Sequence, residues 1–333
     1  METETHWGII GTGRIAHKFA QDLRLVPHAK LHAVAASDRS RAQDFARQYG
    51  AEYAFGSYEA IVNCPHLDVV YIASTHEKHY PNALMCLKRR IPVLCEKPLA
   101  INLKEVTSLI ETAQQHKTFF MEAMWSRFIP CFQKIIDTVE KGVIGRPLSI
   151  KADFGFFQPF EENSRLYNKI TGGGSLLDIG IYPLTLALSI LGKPFKINVL
   201  AHLNPITKVD ETCAMQLGYE SGAIAILNSS VTCHLGQEAW IFGEKGYIHV
   251  PIKFHHPHFF EIYHYDGKNE PRREIVRMPY EGHGLHFEAA EVQHCLRHNL
   301  LESPMMPHAF SATLMEIMDN VREKVNVVYE NHD

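Results

Sequence analysis

His6-Trp7-Gly8-Ile9-Ile10-Gly11-Thr12-Gly13-Arg14-Ile15-Ala16 is a short apolar run that ends in glycines and opens a helical pattern through Ile15, Phe19 and Leu23. A strand, a G-x-G-x-x-A turn and a helix in succession begin a βαβ unit, the context in which such a hexapeptide binds a dinucleotide. Gly11 permits the tight turn, Gly13 lets the backbone approach a pyrophosphate, and Ala16 lets the helix sit close to the strand. The N–H groups of the helix start, around Thr12, Arg14 and Ile15, offer the phosphates a positive dipole end. The competing reading of the same residues is a plain strand-to-helix turn.

Working outward, apolar runs recur at Leu31–Ala36, Tyr53–Phe55, Val69–Ala73, Val93–Cys95 and Phe119–Met121, separated by helical patterns such as Ala42, Phe45 and Tyr49. Continuous apolar strands spaced by helices indicate a parallel sheet covered on both faces. After Phe128-Ile129-Pro130 a helix through Phe132, Ile135, Ile136 and Val139 ends at Gly142, and the pattern changes. Thr212–Tyr219 and Ala223–Ser230 flank Glu220-Ser221-Gly222; Ala239–Phe242 and Tyr247–Val250 flank a second glycine-bearing turn. Such turns between β-rich runs indicate antiparallel pairing. Helical patterns return at about 285–299 and 308–325. The fold class expected is α/β: a doubly wound Rossmann domain over 1–125, then an α/β domain over 126–333.

The second strand ends in Ala36-Ser37-Asp38-Arg39. An acidic residue at that tip binds the ribose 2′-hydroxyl of NAD and repels the 2′-phosphate of NADP. Here Ser37 holds the tip, with Asp38 and Arg39 after it; a hydroxyl and a guanidinium suit a phosphate, so NADP is expected ahead of NAD. The loop Ser74-Thr75 after the fourth strand should pass the nicotinamide ribose. The fifth strand ends in Glu96-Lys97-Pro98, where cofactor and substrate meet in such sheets. Lys97 there can hydrogen-bond a substrate hydroxyl beside a cationic nicotinamide and have its pKa lowered. The alternative is a structural lysine paired with Glu96.

Composition narrows the class. The 333 residues suit about two domains. A net charge of −4 without like-charge blocks disfavours nucleic acid or an anionic membrane as partner. Seven scattered cysteines without a C-x-x-C pair fit neither a disulfide framework nor a zinc knuckle, and point to a reducing cytoplasm. No signal peptide or membrane-spanning run is expected. The 21 histidines raise the question of a metal. His294 and His298 stand at i and i+4 without a third ligand, and His255, His256 and His258 flank Pro257; solvated or interface histidines, with no metal, is the reading.

Gly11–Ala16, Glu96-Lys97-Pro98 and Gly172-Gly173-Gly174-Ser175-Leu176-Leu177-Asp178-Ile179-Gly180-Ile181-Tyr182 occur in this order. Together they resemble the glucose–fructose oxidoreductase, inositol dehydrogenase and MocA family of NAD(P)-dependent oxidoreductases. Met121-Glu122-Ala123-Met124-Trp125-Ser126-Arg127-Phe128 and Glu302-Ser303-Pro304-Met305-Met306-Pro307 resemble its dimeric dihydrodiol and D-xylose dehydrogenase branch. The resemblance implies a large, mostly antiparallel open sheet in the second domain, serving as a dimer interface. It also implies that Lys97 and Tyr182 flank the reacting carbon, Tyr182 standing where many members carry histidine. An ammonium beside a tyrosine favours phenolate, drawing its pKa down from about 10. The family places a histidine at His79.

Asp178 has two readings, a group that accepts a substrate hydroxyl or orients Lys97, and a cap for the helix near Tyr182. Trp125, Arg127 and Phe154 line a sugar or diol pocket, or pack between domains. The reading reached is a cytoplasmic oxidoreductase moving hydride between nicotinamide C4 and a carbinol carbon of a sugar, polyol or cyclic trans-diol. The alternative is a cofactor-binding sensor on the same fold.

Overall fold

A computed structural model of the chain describes residues 4–265, 267 and 270–333. In the first part strands and helices alternate: β1 (Thr5–Ile10), α1 (Arg14–Leu23), β2 (Ala29–Ala35), α2 (Arg39–Tyr49), β3 (Tyr53–Phe55), β4 (Val69–Ile72), α3 (His76–Lys88), β5 (Val93–Glu96), α4 (Leu103–His116) and β6 (Phe120–Ala123). The strands form a six-stranded sheet in the order β3-β2-β1-β4-β5-β6, every pair parallel. Strands β4, β5 and β6 are buried at every position, which is why they read as unbroken apolar runs rather than alternating ones. The order reverses between β1 and β4, and the crevice at such a switch point receives ligands.

The second part contains α5 (Pro130–Glu140), β7 (Pro147–Gly155), α6 (Ile181–Leu191), β8 (Lys196–Leu203), β9 (Asp210–Gly218), β10 (Ile224–Ser230), β11 (Ala239–Gly243), β12 (Gly246–Val250), β13 (Phe259–His264) and β14 (Arg272–Arg277). These strands make an eight-stranded sheet, β14-β13-β12-β11-β7-β10-β9-β8. The two hairpins expected from glycine turns, β9–β10 and β11–β12, are antiparallel. Among the described residues, β7–β10 is the one parallel pair of this sheet. Alternation along β10, β11 and β12 sends Ala225, Leu227, Ile241 and Ile248 into the core, while Ile224, Ile226, Trp240, Phe242 and Tyr247 share the opposite, open face. The run Lys169–Leu191 is long and apolar enough to cross a membrane by length and composition alone, and 83% of its apolar window is buried within the fold.

Helices α7 (His286–Arg297) and α8 (His308–Lys324) end the chain. The chain divides into two compact units, the first ending at Phe128 and also taking Glu281–Ala312, the second made of Ile129–Tyr280 and Thr313–Asp333. A single cut at residue 125 therefore differs from the structure. Three attachments explain the difference. The Asp22 carboxylate accepts from the N–H groups of His283 and Leu285 at the start of α7. The N–H of Phe120 donates to the Leu301 carbonyl, extending the free side of β6. His308 Nε2 meets the Phe120 carbonyl at 2.9 Å.

Candidate active site

In the first unit, the turn after β1 is built as its glycines require. Gly11 has φ +98°, and a Cβ there would lie 2.5 Å from the Ala73 carbonyl oxygen. Gly13 caps α1 without a side-chain hydrogen bond, and a Cβ there would meet nothing within 4 Å, so the helix start is open. No acidic residue stands in the first turn of α1. The Thr12 hydroxyl oxygen is buried with no hydrogen-bond partner among the described residues. Open N–H groups, an orphaned hydroxyl and the exposed Arg14 fit a dinucleotide pyrophosphate. Ile15 is half-buried beside them.

At the tip of β2, Asp38 caps α2. Its carboxylate accepts from the N–H groups of Ser40 and Arg41 at 2.8 and 3.1 Å and from the Ser40 hydroxyl at 2.6 Å. These bonds, the Ser40 hydroxyl first, hold its carboxyl below the usual range. Ser37 and Arg39 are exposed beside it.

The loops after β4 and β5 are tied together by His79, which is fully buried. Its Nδ1 faces the Pro98 carbonyl at 2.7 Å and its Nε2 the Ser74 carbonyl at 3.2 Å. Burial pulls His79 down to about 4, so the imidazole is neutral and can donate only one of these bonds at a time. Thr75 precedes α3, its hydroxyl donating to Glu77 at 2.8 Å. Glu96 is buried; its carboxylate accepts from the Tyr71 hydroxyl and, at 3.2 Å, from the Lys97 N–H. Lys97 is half-buried, and its peptide bond to Pro98 is cis. Trp125 opens a short 3-10 turn that also holds Arg127. The Arg127 guanidinium lies over the Phe310 ring at 3.9 Å and donates to the Met305 carbonyl at 2.9 Å. Burial lowers it to about 10. That arrangement is packing within the first unit.

In the second unit, the glycine-rich turn leads into a π-helical turn, Leu176–Gly180, which runs directly into α6. Wide turns of this kind recur at functional sites. A buried carboxyl that sequence reading missed, Asp210 on β9, holds the turn: it accepts from the Ser175 hydroxyl at 2.8 Å and the Leu176 N–H at 2.7 Å. Burial raises Asp210 to about 6 against those bonds. Asp178 lies inside the π turn. The residue preceding α6 is Gly180, with no side-chain cap, so the capping role considered for Asp178 does not hold. Arg165 grips its carboxylate instead, Nη1 to Oδ1 at 2.7 Å and Nη2 to Oδ2 at 3.3 Å. The sequence carried no signal for Arg165, which sits in a loop thirteen residues earlier.

Tyr182 follows Asp178 by one helical turn and is buried. Its ring centroid lies 5.5 Å from Phe154 and 5.1 Å from His255, and His255 stacks on Phe154 at 4.3 Å. His255 is therefore part of this aromatic wall rather than a solvated histidine. His258 stacks on Tyr280, and the His294 and His298 rings pack tilted against each other at 4.2 Å. No three His, Cys, Asp or Glu side chains among the described residues could share a metal ion.

Residues 5–124 match the model of the oxidoreductase family with an NAD-binding Rossmann fold, and residues 132–249 match the GFO/IDH/MocA C-terminal domain. Trans-1,2-dihydrobenzene-1,2-diol dehydrogenase of Xenopus laevis is 36% identical, covering 98% of this chain and 99% of that protein. The Danio rerio protein of the same name is 36% identical over 97% of both. Among solved structures, levoglucosan dehydrogenase complexed with NADH and L-sorbose superposes with a TM-score of 0.87 at 19% identity, covering 98% of this chain and 97% of that one. A 3-ketoreductase from Actinomadura kijaniata complexed with NADP and TDP-benzene gives 0.86 at 23% identity, covering 96% and 98%. These superpositions establish the fold.

Proposed function

The chain belongs to the GFO/IDH/MocA family of oxidoreductases, and from that premise we propose that it oxidises a carbinol carbon of a cyclic trans-diol or sugar, or reduces the corresponding carbonyl, using Lys97 and Tyr182. The observation that carries the reading is Tyr182, buried against Phe154 and His255 one turn beyond the Arg165-gripped Asp178. An aromatic wall suits the apolar face of a ring, and a fixed carboxylate suits a neighbouring hydroxyl. A bound nicotinamide supplies the hydride acceptor at C4. Lys97 donates a hydrogen bond to the reacting hydroxyl and so favours loss of its proton. Tyr182 takes the hydroxyl proton as the carbon is oxidised, and returns it in reduction. Asp178 holds a second hydroxyl.

NADP is proposed ahead of NAD. Supporting this, Asp38 directs its carboxylate to its own helix, while Ser37 and Arg39 stand exposed for a 2′-phosphate. Glu96, Ser74, Thr75 and His79 are proposed to shape the nicotinamide side of the crevice. A homodimer through the open sheet face is proposed from its exposed Leu200, Ile224 and Ile226 beside Trp240 and Phe242. A cytoplasmic location is proposed from seven unpaired cysteines, six of them buried.

The test follows nucleotide absorbance with trans-dihydrodiols, pentoses, hexoses and dicarbonyl compounds, using NADP and NAD in parallel. Turnover with a ring diol or sugar, faster with NADP, is expected. Tight nucleotide binding without turnover on any of these compounds contradicts the proposal.

A further inference from the structure

Glu122 lies on β6 opposite Cys95 of β5, one residue from Glu96, and is 3% exposed. Its Oε1 accepts from the Leu99 N–H at 3.1 Å, in the turn that follows Lys97-Pro98. The Ser311 hydroxyl donates to the same carboxyl. Its Oε2 is buried with no hydrogen-bond partner among the described residues. A half-satisfied carboxyl in a dry interior is unfavourable as the anion unless a nearby positive charge offsets it.

The groups around it are specific. Its charge is felt by Glu96 and Lys97 at the end of β5 and by Arg127 in the 3-10 turn, Glu96 raising its pKa and Lys97 lowering it. Arg127 is engaged with the Met305 carbonyl and the Phe310 ring. Glu96 holds the Tyr71 hydroxyl and faces Glu288, a fully buried carboxyl that burial first and the Glu96 charge next push well above the ordinary range. His79, beside Lys97, is neutral at any pH above about 4. His308, whose ring lies against Phe120 on the same strand, faces Glu302. Arg127 and Lys97 are thus the two cations that an ionised Glu122 acts on, and Lys97 is the one that follows β5 directly.

We propose that Glu122 is a positioning residue for Lys97: its carboxylate holds the Leu99 turn and supplies the buried negative charge that keeps Lys97 an ammonium. The inference rests on the reading of Lys97 given above. Burial raises Glu122 to about 7, against the Ser311 and Leu99 bonds that lower it. The counter-charge is therefore present on the alkaline side of neutrality, where a lysine titrates.

Glu122→Gln removes the charge while its side-chain oxygen can still accept from Leu99. The measurement is kcat/KM from about pH 6 to about pH 11, with the dissociation constant for NADP measured alongside. In E122Q the alkaline inflection should move down by about one pH unit or more, as expected when an opposite charge is removed. Cofactor affinity should hold within about twofold, which a folding defect would not allow. Glu122→Asp, which keeps the charge, should retain the wild-type inflection. An unmoved inflection in E122Q overturns the proposal, as does an equal shift in E122D. Should E122Q fail to bind NADP, Ser311→Ala takes its place. Losing a bond that favours the carboxylate should move the inflection near neutrality upward, and no movement overturns the proposal. Lys97→Met separates the two claims: turnover surviving in K97M defeats the reading of Lys97, whereas an inactive K97M with an unmoved E122Q inflection defeats only the role of Glu122.

Discussion

Arg165 reaches Asp178 with both terminal nitrogens, and the carboxylate it grips is almost inaccessible while the guanidinium is 44% exposed. Removing one partner of such a pair strands a buried charge, but water beside the arginine screens the loss. Arg165→Leu should lower stability by only about 1–2 kcal/mol after that screening. Its effect on turnover should be larger. A carboxylate no longer fixed beside Tyr182 should reduce kcat/KM by about 10- to 100-fold, measured against a melting curve. A loss of stability with unchanged kcat/KM would assign the pair to folding alone. Arg165 was invisible in the sequence because the loop before the glycines has no periodicity. The fork becomes apparent only when the chain folds back.

The glycine-rich turn and its π-helical continuation form one element whose geometry depends on Asp210 from β9. The folded pKa of Asp210 is about 6 against an ordinary value of 3.8, so the folded state holds its proton more tightly than the unfolded chain does. Stability from this group is present in full below pH 4 and is lost as pH rises to about 6, at roughly 1.4 kcal/mol per pH unit. Denaturant melts of Asp210→Asn across that window should lack this downward slope; an identical slope in wild type and variant would exclude Asp210 as its source. Strands β4, β5 and β6 were legible because burial on both faces leaves an unbroken apolar signature, whereas β3, half-buried throughout, gave only a faint one. The hairpins β9–β10 and β11–β12 were legible from their glycine turns. Strands β7, β8, β13 and β14 were not read. β14 is largely exposed and has no clean hydrophobic pattern, whereas β8 alternates Ile197, Val199, Ala201 and Leu203 with exposed residues, a period-two signal that the sequence reading missed.

For the whole molecule, motif order indicated a cofactor unit followed by a second α/β unit, and both sheets are present. The return of Glu281–Ala312 to the first unit was illegible, because it depends on Asp22 meeting two N–H groups about 260 residues away. The self-association proposed for the molecule would use the aromatic and aliphatic face of the eight-stranded sheet. Ile226→Lys with Trp240→Glu should halve the mass by sedimentation while leaving the fold intact by circular dichroism, since charge on an apolar interface is poorly tolerated. An unchanged mass would place the contact elsewhere. The central claim is that Lys97 and Tyr182 perform the proton chemistry of hydride transfer. The most direct test is single-turnover nucleotide absorbance in Lys97→Met and Tyr182→Phe, with the NADP dissociation constant measured in parallel. Turnover should fall by about 10²- to 10⁴-fold in each while cofactor binding persists; near-normal turnover in both variants would contradict the account.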